Sequence, residues 1–354
     1  MKNKILLFLP FILILLLSAL YTALLRLGFN LPEFPAGAIQ HGPLMVVAFL
    51  GALISLERAV ALQLRWAYFA PIFIAAGSLM SLVFNLGFVG LVFIVAGSII
   101  NFAGMIYLTM KQNLLFNWIM MLGSFCFAVG NILFASGMAV PQIIFLWLGY
   151  LILTILGERL ELTRMRPISK KQINLGKFLI YGFFSSLFIS LASVHNAALI
   201  FAFFYIALAI WFYFNDIIRA TIKAAGQPRF TAIGLLFGYL WSIIAGVILI
   251  VYGFQNTGYV YDAFIHSIML GFVFSMIFVH APIVFAGVFR QPVKYSNRFY
   301  IHLILLQITL AGRVYSDLVI DNLFRQWFGF ANVLTILLLF ANTAFSVYQG
   351  KKES

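Results

Sequence analysis

The sequence predicts an all-α, polytopic integral membrane protein with about twelve transmembrane helices and both termini on the cytoplasmic side. Three observations carry this: composition, the length of the apolar runs, and the placement of the basic residues. Of 354 residues, 64% are hydrophobic and 9% charged, whereas a soluble domain carries about 25% charged residues. So few charges cannot cover this much apolar surface in water. Lipid is therefore the solvent.

A spanning helix needs about 20 mainly apolar residues. Such runs occur at 5–26, 40–64, 67–85, 88–110, 115–136, 141–162, 176–194, 197–215, 230–253, 260–288, 297–315 and 326–348. The first could pass for a signal peptide. It is longer than a typical h-region, and no clear Ala-x-Ala site follows it. The second opens on His41 and carries Glu57–Arg58 near its far end. The third and fourth are separated only by Phe84-Asn85-Leu86-Gly87. The fifth holds the single cysteine, Cys126, in an apolar setting. The sixth ends in Glu158–Arg159, an echo of the second. The seventh and eighth flank Ser193-Val194-His195-Asn196, read as a short outer loop. The tenth carries His266, His280 and Pro282, and the eleventh His302.

The loop charges agree with this count. Counted from a cytoplasmic N-terminus, all 22 Lys and Arg fall on the inner side except Arg26, Arg313 and Arg325. This is the positive-inside pattern. It also accounts for the net charge of +13 without nucleic acid, because the basic residues are spread over short loops. The chain reads as one membrane domain of two six-helix halves, 1–163 and 176–354. A basic cytoplasmic loop, 164–175, joins them.

Polar groups inside a membrane are expensive and usually have a partner or a task. The histidines are therefore the first candidates. His41 and Met45 are one turn apart, and the same helical spacing continues through Ala48, Ala52, Ser55 and Ala59. In the tenth span His266, Met269, Val273, Met276 and His280 form one stripe. At ~1.5 Å rise per residue the two histidines of that span lie about 21 Å apart, too far for one small ligand. Spans two and ten run in the same direction, so His41 and His266 lie at similar depth. Two such neutral imidazoles can ligate one haem iron, and small residues would leave room for it. The haem propionates would need a cation near the outer surface, where Arg313 lies. The structural alternatives stand beside these. Small residues on a membrane helix commonly mean close packing. Arg313 can pair with Asp317 one turn on. His195 and His302 read as hydrogen-bonded structural residues. A cross-pair such as Glu57 with Arg159 would clamp two helices or mark an ion entry point.

Two segments resemble the NnrS family of membrane haem and copper proteins. The family pattern W-H-A-H-E-M-L-F-G-F is similar to QHGPLMVVAF (Gln40 to Phe49), which keeps His41, Met45 and Phe49. The later pattern H-A-x-T-V-G-A-I-G-T-M-I is similar to HSIMLGFVFSMI (His266 to Ile277), which keeps His266, Gly271, Met276 and Ile277. The resemblance implies a non-covalent haem b in the bacterial inner membrane, linked to nitric oxide response or respiratory redox chemistry. His41 and His266 would be its ligands, with Met45, Met276 and Arg313 around the cofactor. A redox partner or a diatomic gas would be the counterpart. Pro43 and Leu44 replace the family's second histidine and its glutamate, which counts against copper; His280 is the substitute metal ligand the sequence offers.

Two other classes remain open on the sequence. Twelve helices in two halves also suit a secondary transporter, although only Pro282 is placed to break a helix. An assembly partner of a respiratory complex would make no demand on the histidines. P-loop, CxxC, CxxCH, HExxH and GxSxG motifs are all lacking.

Overall fold

The computed structural model describes residues 8–32, 41–83, 87–163, 168–289 and 293–353. Among these the chain is all helical, with no strand. Ten helices are long and apolar enough to cross a membrane. In chain order the helices are α1 (Phe8–Arg26), α2 (His41–Leu62), α3 (Phe69–Val83), α4 (Gly87–Lys111), α5 (Leu115–Ala135) and α6 (Val140–Thr163). Then follow α7 (Lys170–Ala192), α8 (Val194–Asn215), α9 (Gln227–Tyr252), α10 (Tyr259–Phe289), α11 (Phe299–Leu318) and α12 (Asn322–Glu353). The chain divides into two compact units, Met1–Gly157 and Glu158–Ser354.

In the first unit, α3 and α4 form the tightest hairpin. A Cβ added at Gly77 would lie 2.4 Å from the Gly90 carbonyl oxygen, and one added at Gly90 would lie 2.5 Å from that of Gly77. Backbones approach this closely only where small residues face each other. The Phe84–Leu86 connection of this hairpin lies outside the described residues. α3 starts at Phe69, later than the expected span 67–85, because a 3₁₀ turn, Arg65–Tyr68, occupies the start of that span.

In the second unit, α7 begins at Lys170, so the expected loop 164–175 is helical in its last six positions. Ser169 explains the early start. Its Oγ accepts from the Gln172 backbone N–H while the Gln172 side chain accepts from the Ser169 N–H, a reciprocal cap. α8 starts at Val194, so His195 sits exposed in the first helical turn and not in a loop. Gly258, at φ 90°, turns the chain into α10. The helix α10 continues through Pro282.

Two helices depart from α geometry in the same way. In α2 the stretch Leu44–Gly51 is π-helical, and in α10 so is Ser267–Phe274, each for 8 residues. π-helix accounts for well under 1% of residues in globular proteins and gathers at functional sites. Within these stretches hydrogen bonds run i→i+5, so the straight 3.6-residue stripes expected from His41 and from His266 shift in phase. The wider turns also rise less per residue, so His266 and His280 lie closer along the axis than the 21 Å of a plain α-helix. A serine follows each stretch and binds a carbonyl within it: Ser55 donates to the Gly51 oxygen and Ser275 to the Leu270 oxygen at 3.5 Å. Among the ten long spans, the most buried are α6 (78%), α10 (72%) and α2 (67%). The two π-containing helices are thus interior ones.

Candidate functional site

His41 stands at the first residue of α2, three positions ahead of its π stretch. Its Nδ1 lies 2.9 Å from the Ala19 carbonyl oxygen of α1. A carbonyl only accepts, so the proton is on Nδ1 and the lone pair is on Nε2. His266 stands immediately ahead of the second π stretch. Its Nδ1 lies 2.9 Å from the Asp262 carbonyl oxygen one turn back, which fixes the same tautomer. Each unit therefore offers an imidazole in the form metal-ligating histidines take, with the proton held by a carbonyl and the other nitrogen basic.

The surroundings of His266 are ionic and buried. Asp262, at 3% exposure, accepts from Arg313 Nε at 3.1 Å and Nη2 at 2.9 Å, both on Oδ2. Its Oδ1 faces His266 Nδ1 at 3.3 Å and Arg325 Nη2 at 3.6 Å. Arg325 also brings Nε within 2.9 Å of Asp317 Oδ1, out of line for a hydrogen bond, and lays its guanidinium over the Tyr259 ring at 5.3 Å. Two aspartates and two arginines thus share one buried network beside His266.

This arrangement corrects one expectation. Arg313 bonds Asp262 across two helices, and Asp317 pairs with Arg325 at the start of α12. Arg313 is thus engaged by a carboxylate of the same helix that carries His266, and a haem propionate would have to compete with it.

On the same helix, His280 belongs to a second network. Its Nδ1 donates to the Met276 carbonyl oxygen at 2.8 Å, and its Nε2 lies 3.5 Å from Arg159 Nη1. Arg159 binds Asp216 with two bonds, Nε to Oδ2 at 2.9 Å and Nη2 to Oδ1 at 2.7 Å. Tyr239 donates to the same Oδ2 at 2.7 Å. A metal on His280 would therefore meet a guanidinium. Arg159, read from sequence as a partner for Glu57, binds Asp216, and Glu57 lies 3.6 Å from its own neighbour Arg58.

The remaining expected residues pack. Met45 and Met276 are buried, and Met276 Cε fills the space over Gly238, 2.6 Å from where a Cβ there would sit. Ala48, Ala52, Ser55 and Ala59 are all buried. His302 is fully buried, with Nδ1 accepting from the Asn342 amide at 3.3 Å and its ring set against Phe230, Phe278 and Phe299. Cys126 is buried and reduced. Among the described residues no three His, Cys, Asp or Glu side chains converge to hold a metal ion. Haem iron, held by one or two axial donors, does not need such a cluster.

Sequence reasoning missed Asp262, Asp216 and Tyr239. Asp262 had a signal, since it lies four residues before His266 and so on its face.

The chain belongs to the family described as Domain of unknown function (DUF8744), whose model matches residues 4–348. No curated protein and no solved structure matches it.

Proposed function

We propose that this member of the DUF8744 family is a haem-binding integral membrane protein in which His41 and His266 serve as ligand imidazoles. The observation that carries the reading is the shared construction of the two positions. Each histidine leads into an eight-residue π stretch on a largely buried helix, and each has Nδ1 held by a backbone carbonyl. A histidine that only packed would need neither feature twice. The similarity to NnrS patterns around the same two residues points the same way.

The chain's own residues would do three things. The carbonyls of Ala19 and Asp262 hold the ring orientation and keep the proton off Nε2. The π stretches widen α2 and α10 beside the histidines. Each of those helices brings a buried, apolar wall to its own histidine. Bound haem would supply one-electron transfer, or a binding position for a diatomic gas if one axial place stays open. The Nδ1-held rings of His41 and His266 suit iron ligation, whereas a propionate at Arg313 would compete with Asp262. We place the protein in a bacterial inner membrane, with twelve spans and both termini cytoplasmic. The ten long apolar helices, the shorter apolar α1, the 15-residue α3 and the inward bias of Lys and Arg support this.

Haem content tests the proposal. Protein purified in mild detergent from haem-replete cells, assayed as the pyridine haemochrome, should contain haem b, and His41→Ala and His266→Ala should each lower it. Wild type without haem refutes the reading and brings a transporter or an assembly partner forward.

A further inference from the structure

Asp262 does more than neutralise an arginine. Its two carboxylate oxygens are divided between two tasks. Oδ2 takes both Arg313 bonds, at 2.9 and 3.1 Å. Oδ1 turns to the other side and faces His266 Nδ1 at 3.3 Å. The Nδ1–H is donated to the Asp262 backbone oxygen at 2.9 Å, and the Asp262 carboxylate lies beside it as an ionic neighbour. Because Arg313 sits on α11 and is itself buried at 6% exposure, the carboxylate is held from a second helix.

We infer that Asp262 is a positioning residue whose carboxylate charge makes His266 a stronger electron donor, with Arg313 fixing its orientation. This rests on the haem reading above. A carboxylate on the Nδ1 side raises the basicity of the opposite nitrogen. A more basic ligand favours ferric over ferrous iron, so Asp262 holds the reduction potential down. Asp317 serves as the comparison. It is a buried carboxylate of the same charge group, paired with Arg325, and only Asp262 faces the imidazole.

The experiment is a spectroelectrochemical titration of the purified haem-loaded protein, comparing wild type, Asp262→Asn, Asp262→Glu and Asp317→Asn. Changing an outer partner of a ligating histidine typically costs roughly 10–100-fold in metal affinity or activity. A tenfold loss of ferric preference in Asp262→Asn reads as a positive shift of ~59 mV in a one-electron couple. The low-spin α-band should persist, because His266 remains. Asp262→Glu, which keeps the carboxylate, should fall between wild type and Asp262→Asn, and Asp317→Asn should shift less than Asp262→Asn. Equal shifts in Asp262→Asn and Asp317→Asn, or an unchanged potential in Asp262→Asn, overturn the inference while leaving haem binding intact. If Asp262→Asn does not accumulate, Asp262→Glu carries the test: a positive shift supports the inference and an unchanged potential overturns it. Wild type without haem overturns both.

Discussion

Replacing Arg159 with methionine should destabilise the protein by about 3–5 kcal/mol. Methionine keeps most of the aliphatic volume, so the cavity contribution is small. The loss is then almost entirely electrostatic. Asp216 has no exposed surface and Arg159 only 3% along its side chain. Without the guanidinium, the donors to Asp216 include the neutral Tyr239 hydroxyl at 2.7 Å and Ile218 N–H at 3.3 Å. Neither supplies a positive charge, and breaking a buried pair from one side is the costly case. Tyr239→Phe removes one bond to a charged acceptor and should cost less, ~1.5–3 kcal/mol. The double variant Arg159→Met with Asp216→Leu removes both charges and should fall well short of the two single costs added together. The assay is reversible unfolding in mixed micelles with increasing SDS, followed by circular dichroism. An Arg159→Met cost below ~1 kcal/mol, or a double variant additive within ~0.5 kcal/mol, would refute the reasoning.

Other outcomes follow from the same geometry. Gly271→Ala puts a Cβ 2.4 Å from Trp241 Cβ and Cγ, the stem of a large ring that cannot swing away, so it should cost ~1–3 kcal/mol in the same unfolding assay. Gln307→Leu strands Trp241 Nε1 and Ser275, now bonded to it at 2.8 and 3.1 Å, and should cost ~1–3 kcal/mol, seen as a lower thermal midpoint. His302→Phe removes a buried Nε2 that has no hydrogen-bond partner and gives up one long bond from Asn342, at 3.3 Å. Its stability should stay within ~1 kcal/mol of wild type, and its haem content should not change.

The gross fold was legible because membrane burial writes itself into composition. Runs of about 20 apolar residues have little alternative to a helix that satisfies its own backbone in lipid. The helix ends were less legible, since Lys170 and Val194 continue helices into polar sequence that reads as loop. The π stretches were invisible for a physical reason. Leu44–Gly51 and Ser267–Phe274 are buried on every side, so no polar face marks the phase of the helix. His41 and His266 stood out by their chemistry alone. The Asp262–His266 relation could be read from its four-residue spacing. Arg159–Asp216 and Arg313–Asp262 could not, because 57 and 51 residues separate the partners and only the packing of helices brings them together.

The central claim is that these histidines serve haem, and an absorbance spectrum tests it most directly. Protein purified in mild detergent should be recorded oxidised and after dithionite, alongside His41→Ala and His266→Ala. The account predicts a Soret band and sharp reduced α and β bands in the wild type, lost or altered in each variant, with His302→Phe unchanged. A colourless wild type, or a spectrum that neither histidine variant alters, would contradict it.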